Sequence, residues 1–336
     1  MLGSPPFVFD SSKMASDPLS DVLELVQARC SVSGRLVAGG AWARRFANLE
    51  AIKFCAAIEG SCWCFMEGMV APDRFETSDV LVMNGTRTLV LASAPDLIEN
   101  AEHTPIDRGK DGIFRLGDGD SFAMLGGTVH IDDKRQSLLL KGLPSMLRVR
   151  GAASEAETLG WLLEQIVREM TPSERPGHAI ILAGLAQLLF VNTLRAYLVH
   201  APEGDAGWLK GLSDKRLASA LSRMHSELRR NWSLEELAQA AGMSRTSFAV
   251  HFRELMGMPP LTYLTNWRMH IAERQLLAGA TVAEVAHSIG YTSESAFSHA
   301  FKRVMGVAPG RRRQPSDVVA GERLVSHQAA VPTYAF

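Results

Sequence analysis

The chain contains one two-helix pattern twice. Residues 237–260 (LAQAAGMSRTSFAVHFRELMGMPP) align with residues 285–309 (VAHSIGYTSESAFSHAFKRVMGVAP). Leu237-Ala238 and Gly242 match Val285-Ala286 and Gly290 at an offset of 48. After one extra residue in the second turn, Ser244, Phe248, Phe252 and Gly257 match Ser293, Phe297, Phe301 and Gly306 at 49. Ser233-Leu-Glu-Glu236 and Thr281-Val-Ala-Glu284 precede the two copies as capping boxes, each supplying its helix with a reciprocal partner for free N–H groups. A short capped helix, a glycine turn and a second helix with apolar residues at i and i+4 is the grammar of a helix-turn-helix. Ala238 and Ala286 allow the helices to cross closely, and each glycine accommodates a turn that favours positive φ.

The second helices predict the working surface. At 100° per residue from the first Phe, the outward side carries Thr246, Ala249, Val250 and Arg253 in one copy. In the other it carries Ser295, Ser298, His299 and Lys302, with Arg245 and Glu294 at the helix starts. Ser, His and Lys reach base edges or phosphates, and Ala, Val and the Thr methyl can meet a thymine methyl. Residues 261–278 read as one helix of ~18 residues, ~27 Å long, a rigid spacer for two recognition helices about one DNA turn (roughly 34 Å) apart. Charge agrees. The near-neutral whole, −1, divides into 19 Lys+Arg against 26 Asp+Glu over residues 1–209 and 15 against 8 over 210–313. An acidic region followed by a basic one predicts a polyanionic partner for the C-terminal part.

At these residues the chain resembles the DNA-binding domain of AraC/XylS-family transcription regulators, over about 208–313. The pattern GY-x-S-E-S-x-F-x-x-x-FK-x-x-x-G-x-x-P in the second copy is the family's most specific signature. Gly310-Arg311 stands where a Tyr-Arg commonly closes the motif. The resemblance implies a sequence-specific regulator of double-stranded DNA that also meets RNA polymerase. More weakly, DPLSDVLELVQARCSVSG, IKFCAAIEGSCWCFMEG and LLLKGLPSMLRV resemble the cupin-like sensory domain of one branch of that family. That resemblance implies effector or stress sensing, with adjoining helices that form a homodimer.

Between residues 35 and 150 the texture is of short apolar runs broken by Gly, Pro and Asp, which predicts a β-sandwich or barrel. Glu59-Gly60-Ser61 reads as a hairpin turn between 52–58 and 62–67, and Asp107–Asp120 as a long loop. Residues 19–29, 154–170 (capped by Ser154 and Glu157) and 177–200 have helical spacing. Leu182, Leu185, Leu189, Val191 and Leu194 supply the apolar face expected at a dimer interface. The run 179–191 is too short to span a membrane. The expected organisation is α+β and multidomain: 1–16 disordered with Met14 as an alternative start, 17–152 a β-rich cupin-like barrel, 153–201 a helical dimerisation segment, 202–207 a linker, 208–313 an all-α domain with two helix-turn-helix motifs, and 314–336 a flexible tail. With no signal-peptide pattern and only four cysteines, the expected location is the cytoplasm, at the nucleoid.

Two chemistries compete in the β-rich part. A cupin enzyme would need convergent metal ligands, and His103 and His130 are the only histidines there, so no metal or cofactor is expected. A metal-dependent cupin enzyme with an accessory DNA-binding domain is the rival reading. For effector binding the candidates are Trp42, Phe54, Trp63 and Phe65, with Arg87 as an anion partner. Cys30, Cys55, Cys62 and Cys64 are either small apolar packing residues or a thiol sensor, and no neighbouring Lys or Arg obviously lowers a thiol pKa.

Overall fold

The computed structural model describes residues 17–47, 51–101, 107–109, 112–131, 143–151, 156–170, 175–200 and 208–312. The segments 1–16, 202–207 and 314–336, and the Ser154 cap, lie outside them. The chain forms two compact units. One is built from Val26–Ser213. The other joins the first helix, α1 (Pro18–Leu25), to Asp214–Arg253 and Met258–Arg312. The first helix thus groups with the helical unit, whereas its sequence position had placed it with the barrel.

Among the described residues the first unit has ten strands: β1 (Arg29–Gly39), β2 (Ala43–Phe46), β3 (Ile52–Met66), β4 (Asp73–Glu76), β5 (Val80–Met83), β6 (Leu89–Ala92), β7 (Asp107–Arg108), β8 (Ile113–Gly117), β9 (Phe122–His130) and β10 (Met146–Val149). The main order is β10-β5-β3-β9-β1-β8-β7, with β2 on β6, and β4 and β6 on β3. Strand β3 organises it. Its first half pairs antiparallel with β5 and β9, and its second half with β4 and β6. The Glu59-Gly60-Ser61 turn expected between two strands is therefore a bend inside one 15-residue strand. Gly60 takes φ 72°, and a bulge between Ala57 and Glu59 turns the strand from one set of partners to the other. The loop expected over 107–120 likewise contains β7 and β8, the latter parallel to β1.

Alternation along the strands fills the interior with Leu36, Trp42, Phe46, Cys62, Phe75 and Phe122, among others. A second, smaller cluster on the other side joins Val90, Ala92, Ile98 and Ala101 to Trp63 and Phe65. Helices α2 (Ala156–Met170) and α3 (His178–His200) pack on each other, and α3 also lies on β1 and β10. By length and composition α3 could cross a membrane, yet it buries Ala186, Leu189, Phe190 and Leu194 within this unit. Leu189 and Leu194 are thus core residues rather than the exposed dimer face expected of them, and Leu182, Leu185 and Val191 are half-buried. On α3 the large exposed apolar side chains among the described residues are Ile180, Ile181, Leu188 and Val199, and on α2 Trp161 is exposed. A short helix, α4 (Trp208–Ser213), also groups with this unit, although sequence had placed it in the DNA-binding part.

The second unit contains α1, α5 (Lys215–Ser226), α6 (Leu234–Ala240), α7 (Arg245–Met256), α8 (Pro260–Leu277), α9 (Val282–Ser288) and α10 (Glu294–Met305). Helix α8 is the long spacer between the two copies.

Candidate nucleic-acid interface

Both copies are assembled by the local chemistry read from sequence. At α6 the Ser233 hydroxyl accepts from the Glu236 N–H at 3.2 Å, and the Glu236 carboxylate accepts from the Ser233 N–H at 2.8 Å. At α9 Thr281 and Glu284 repeat those bonds at the same two lengths. The backbone bond from Ser233, with the neighbouring Arg230, holds the Glu236 carboxyl down at about 2. The Glu236 cap therefore remains ionised at any physiological pH. Gly242 and Gly290 turn the chain at φ 64° and 89°. Phe248, Phe252, Phe297 and Phe301 are fully buried and fix the roll of α7 and α10 about their axes. Burying each is worth about 1.5–3 kcal/mol.

With those anchors inward, the opposite sides face solvent. Arg245, Thr246, Val250 and Arg253 are exposed on α7, with Ala249 half-buried. Glu294, Ser295, His299 and Lys302 are exposed on α10, with Ser298 half-buried. Among the described residues, Arg245, Arg253 and Lys302 pair with no carboxylate. Such side chains can meet phosphates without first breaking an ion pair. Arg312, just past α10, is different: its Nε lies 3.1 Å from the buried Glu273 carboxylate, a structural contact. His251 bonds at 2.6 Å to Asp214, the cap of α5, so it too is a packing residue.

The comparisons with known proteins cover most of the chain. A cupin family model matches residues 17–199, and a helix-turn-helix domain model matches 237–314. A Streptomyces lividans protein named as an AraC-like transcription regulator is 40% identical over 300 residues, covering 89% of this chain and 98% of that one. The chain belongs to the AraC-like transcription regulators. The HTH-type transcriptional regulator AlkR of Acinetobacter baylyi is 27% identical over 307 residues, 89% of this chain and all of its own. Among solved structures, ToxT of Vibrio cholerae aligns over 84% of this chain and 97% of that one, at 13% identity and a TM-score of 0.32.

The β-rich unit of this regulator distributes its candidate residues differently from the sequence expectation. Trp42 is a core residue stacked on Phe122 at 5.7 Å between centroids. Trp63 and Phe65 belong to the second cluster, across the sheet from Trp42. Arg87 is exposed and donates to the Glu67 carbonyl at 3.1 Å. Phe54 covers the Cα of Gly127, where a methyl group would meet its ring at 2.0 Å. The five candidates are therefore not one site. Of them only Phe54 lines the crevice in this unit, whose water-sized space is about 30 Å³ and whose walls include Phe46, Lys53, Met83, Leu89 and Met124. Lys53 is a residue that sequence reasoning missed.

All four cysteines are buried and free. Burial pushes the Cys30 thiol up to about 12 and Cys64 to about 11, and raises Cys55 and Cys62 as well. Arg148 and Arg74 pull on the Cys62 thiol in the opposite sense but do not overcome burial. Neutral, enclosed thiols favour the packing role. Among the described residues no three His, Cys, Asp or Glu side chains converge as metal ligands.

Proposed function

We propose that this regulator reads a specific DNA sequence as a homodimer and changes its action on transcription when its β-rich unit takes up a small-molecule effector. The supporting observation is the pair of capped helix-turn-helix copies, each turning exposed side chains outward on its second helix. Arg245, Thr246, Ala249, Val250 and Arg253 would enter one major groove, and Glu294, Ser295, Ser298, His299 and Lys302 the next. The homodimer would use the exposed face of α3, and promoter-bound protein would contact RNA polymerase. It would work in the cytoplasm, at the nucleoid, without catalysing a reaction of its own; its relatives are named as regulators.

The test is a mobility-shift titration of the full chain on promoter DNA from its own genomic neighbourhood. Ser295→Ala and His299→Ala should relax sequence preference. Lys302→Ala should weaken binding to all sequences and reduce the salt slope by about one. Equal losses on specific and random DNA for all three variants would refute the division into base and phosphate contacts.

A further inference from the structure

The alternation of β2 sends an arginine into the barrel. Trp42 and Phe46 belong to the interior core, while Ala43 packs on the opposite cluster, so Arg44 shares the interior face. It is only 4% exposed. Its Nε and Nη1 atoms are buried without a hydrogen-bond partner among the described residues. Its one described neighbour of note is the Phe46 ring, 5.3 Å from the guanidinium carbon to the centroid. Phe46 is also a wall of the crevice, which Lys53 lines and Arg44 adjoins through that ring. The Lys53 ammonium donates to Thr128 Oγ1 at 2.8 Å, and that hydroxyl lies 3.3 Å from Ser33 Oγ. Burial disfavours the charged form of both Arg44 and Lys53.

The crevice has a local cause. On neighbouring strands Gly34 and Gly126 stand side by side, with Cys55 beyond, so two adjacent positions place no side chain there. A buried cation without a counter-charge is costly, and a natural core avoids it unless an anion arrives. Guanidinium is suited to a carboxylate, which it binds with two parallel hydrogen bonds. The remaining walls, Phe46, Met83, Leu89 and Met124, suit hydrocarbon. As it stands the space holds one or two waters. Met83 and Met124 are unbranched and can repack around something larger.

We propose that the interior of the β-rich unit binds a small organic acid, its carboxylate held by Arg44 and Lys53 and its hydrocarbon part by Phe46, Met83, Leu89 and Met124. This rests on the effector reading above and names the effector's chemical class. The experiment is thermal unfolding of the full chain at fixed ionic strength. The probes are benzoate and the straight-chain carboxylates from butanoate to decanoate, against benzamide and the matching primary alcohols.

Carboxylates should raise the melting temperature by a few degrees well above their Kd, and the neutral counterparts should not. Arg44→Met should raise the melting temperature without any ligand, because it removes an uncompensated charge, and should abolish the response to acids. Lys53→Met should weaken that response about tenfold. A lowered melting temperature for Arg44→Met would mean that a carboxylate of the chain already pairs with Arg44, and would overturn the proposal. So would acids and neutral compounds that act alike. DNA binding by the unliganded chain is measured alongside. If it persists while acids do nothing, the site alone fails; if it is absent, the regulatory reading fails.

Discussion

Replacing Asp21 by Ala probes how the first helix is tied to the DNA-reading unit. Asp21 Oδ2 lies 2.9 Å from His225 Nδ1, and His225 Nε2 lies 2.9 Å from the Tyr263 hydroxyl. The imidazole is flat against Trp267, 3.8 Å between centroids and 8° from parallel. Its side chain is only 2% exposed. Burial depresses the His225 pKa more than Asp21 raises it, so the folded ring is neutral, with Nδ1–H donating to Asp21 and Nε2 accepting from Tyr263. Removing the carboxylate strands a buried N–H, which costs about 1–3 kcal/mol. In a unit of about a hundred residues each kcal/mol moves the melting temperature by about 4–8 °C. Asp21→Ala should therefore lower the helical unit's transition by roughly 4–24 °C and speed amide exchange in α5 and α8.

The pH dependence follows from the same ring. Above pH ~6.5 the histidine is neutral in both folded and unfolded chains, and the stability is fully present. Below that, the unfolded chain takes up a proton that the folded one resists. Stability then falls by up to ~1.4 kcal/mol per pH unit until the folded ring itself protonates. Stability should therefore fall as pH drops from 7.5 to 5.5, and His225→Gln should remove that part of the slope. An unchanged melt and exchange pattern in Asp21→Ala, or identical pH slopes with and without His225, would refute the reasoning.

Three further outcomes are expected. Gly290→Ala should destabilise far more than Gly242→Ala: both are left-handed, which costs about 1–2 kcal/mol, but only at Gly290 would the new methyl meet a backbone oxygen, that of Arg229 at 2.6 Å. Equal losses by denaturant titration would contradict this. Ile181→Arg with Leu188→Arg, at side chains about half exposed, should give a monomer by light scattering with little change in melting temperature; a persisting dimer would move the interface elsewhere. Iodoacetamide should label the native thiols at least a hundredfold more slowly than the unfolded ones, and rapid labelling of any of them would restore the thiol-sensor reading.

The helix-turn-helix half was legible because its signals are local. A capping box needs four residues, and Phe248 with Phe252 needs five, so both copies declared their helices and buried faces without reference to the rest of the chain. The β-rich half depends on pairings between distant residues. Glu59-Gly60-Ser61 has turn chemistry, but β9 and β5 on one side and β4 and β6 on the other hold it as a bend within one strand. The parallel pairing of β8 with β1 sits among Gly and Asp residues that read as loop. On α3, helical spacing marked apolar residues at many angles, and only the sheet beneath decided that Leu189 faces inward and Leu188 outward.

The same reasoning explains why the aromatic set failed as a pocket and why a charge was overlooked. Trp63 and Phe65 alternate with Cys62 and Cys64, so once the cysteines face the core the aromatics must face away from it. Arg44 lies two residues from Trp42 and two from Phe46. An arginine flanked at i−2 and i+2 by large aromatics on a short strand already points to an inward cation. Its cost to stability is the kind of local conflict that a fold retains at a functional position. Sequence reasoning sought the anion partner at Arg87, in a polar turn, where an arginine is comfortably solvated. The more informative arginine was the one placed where solvent could not reach it.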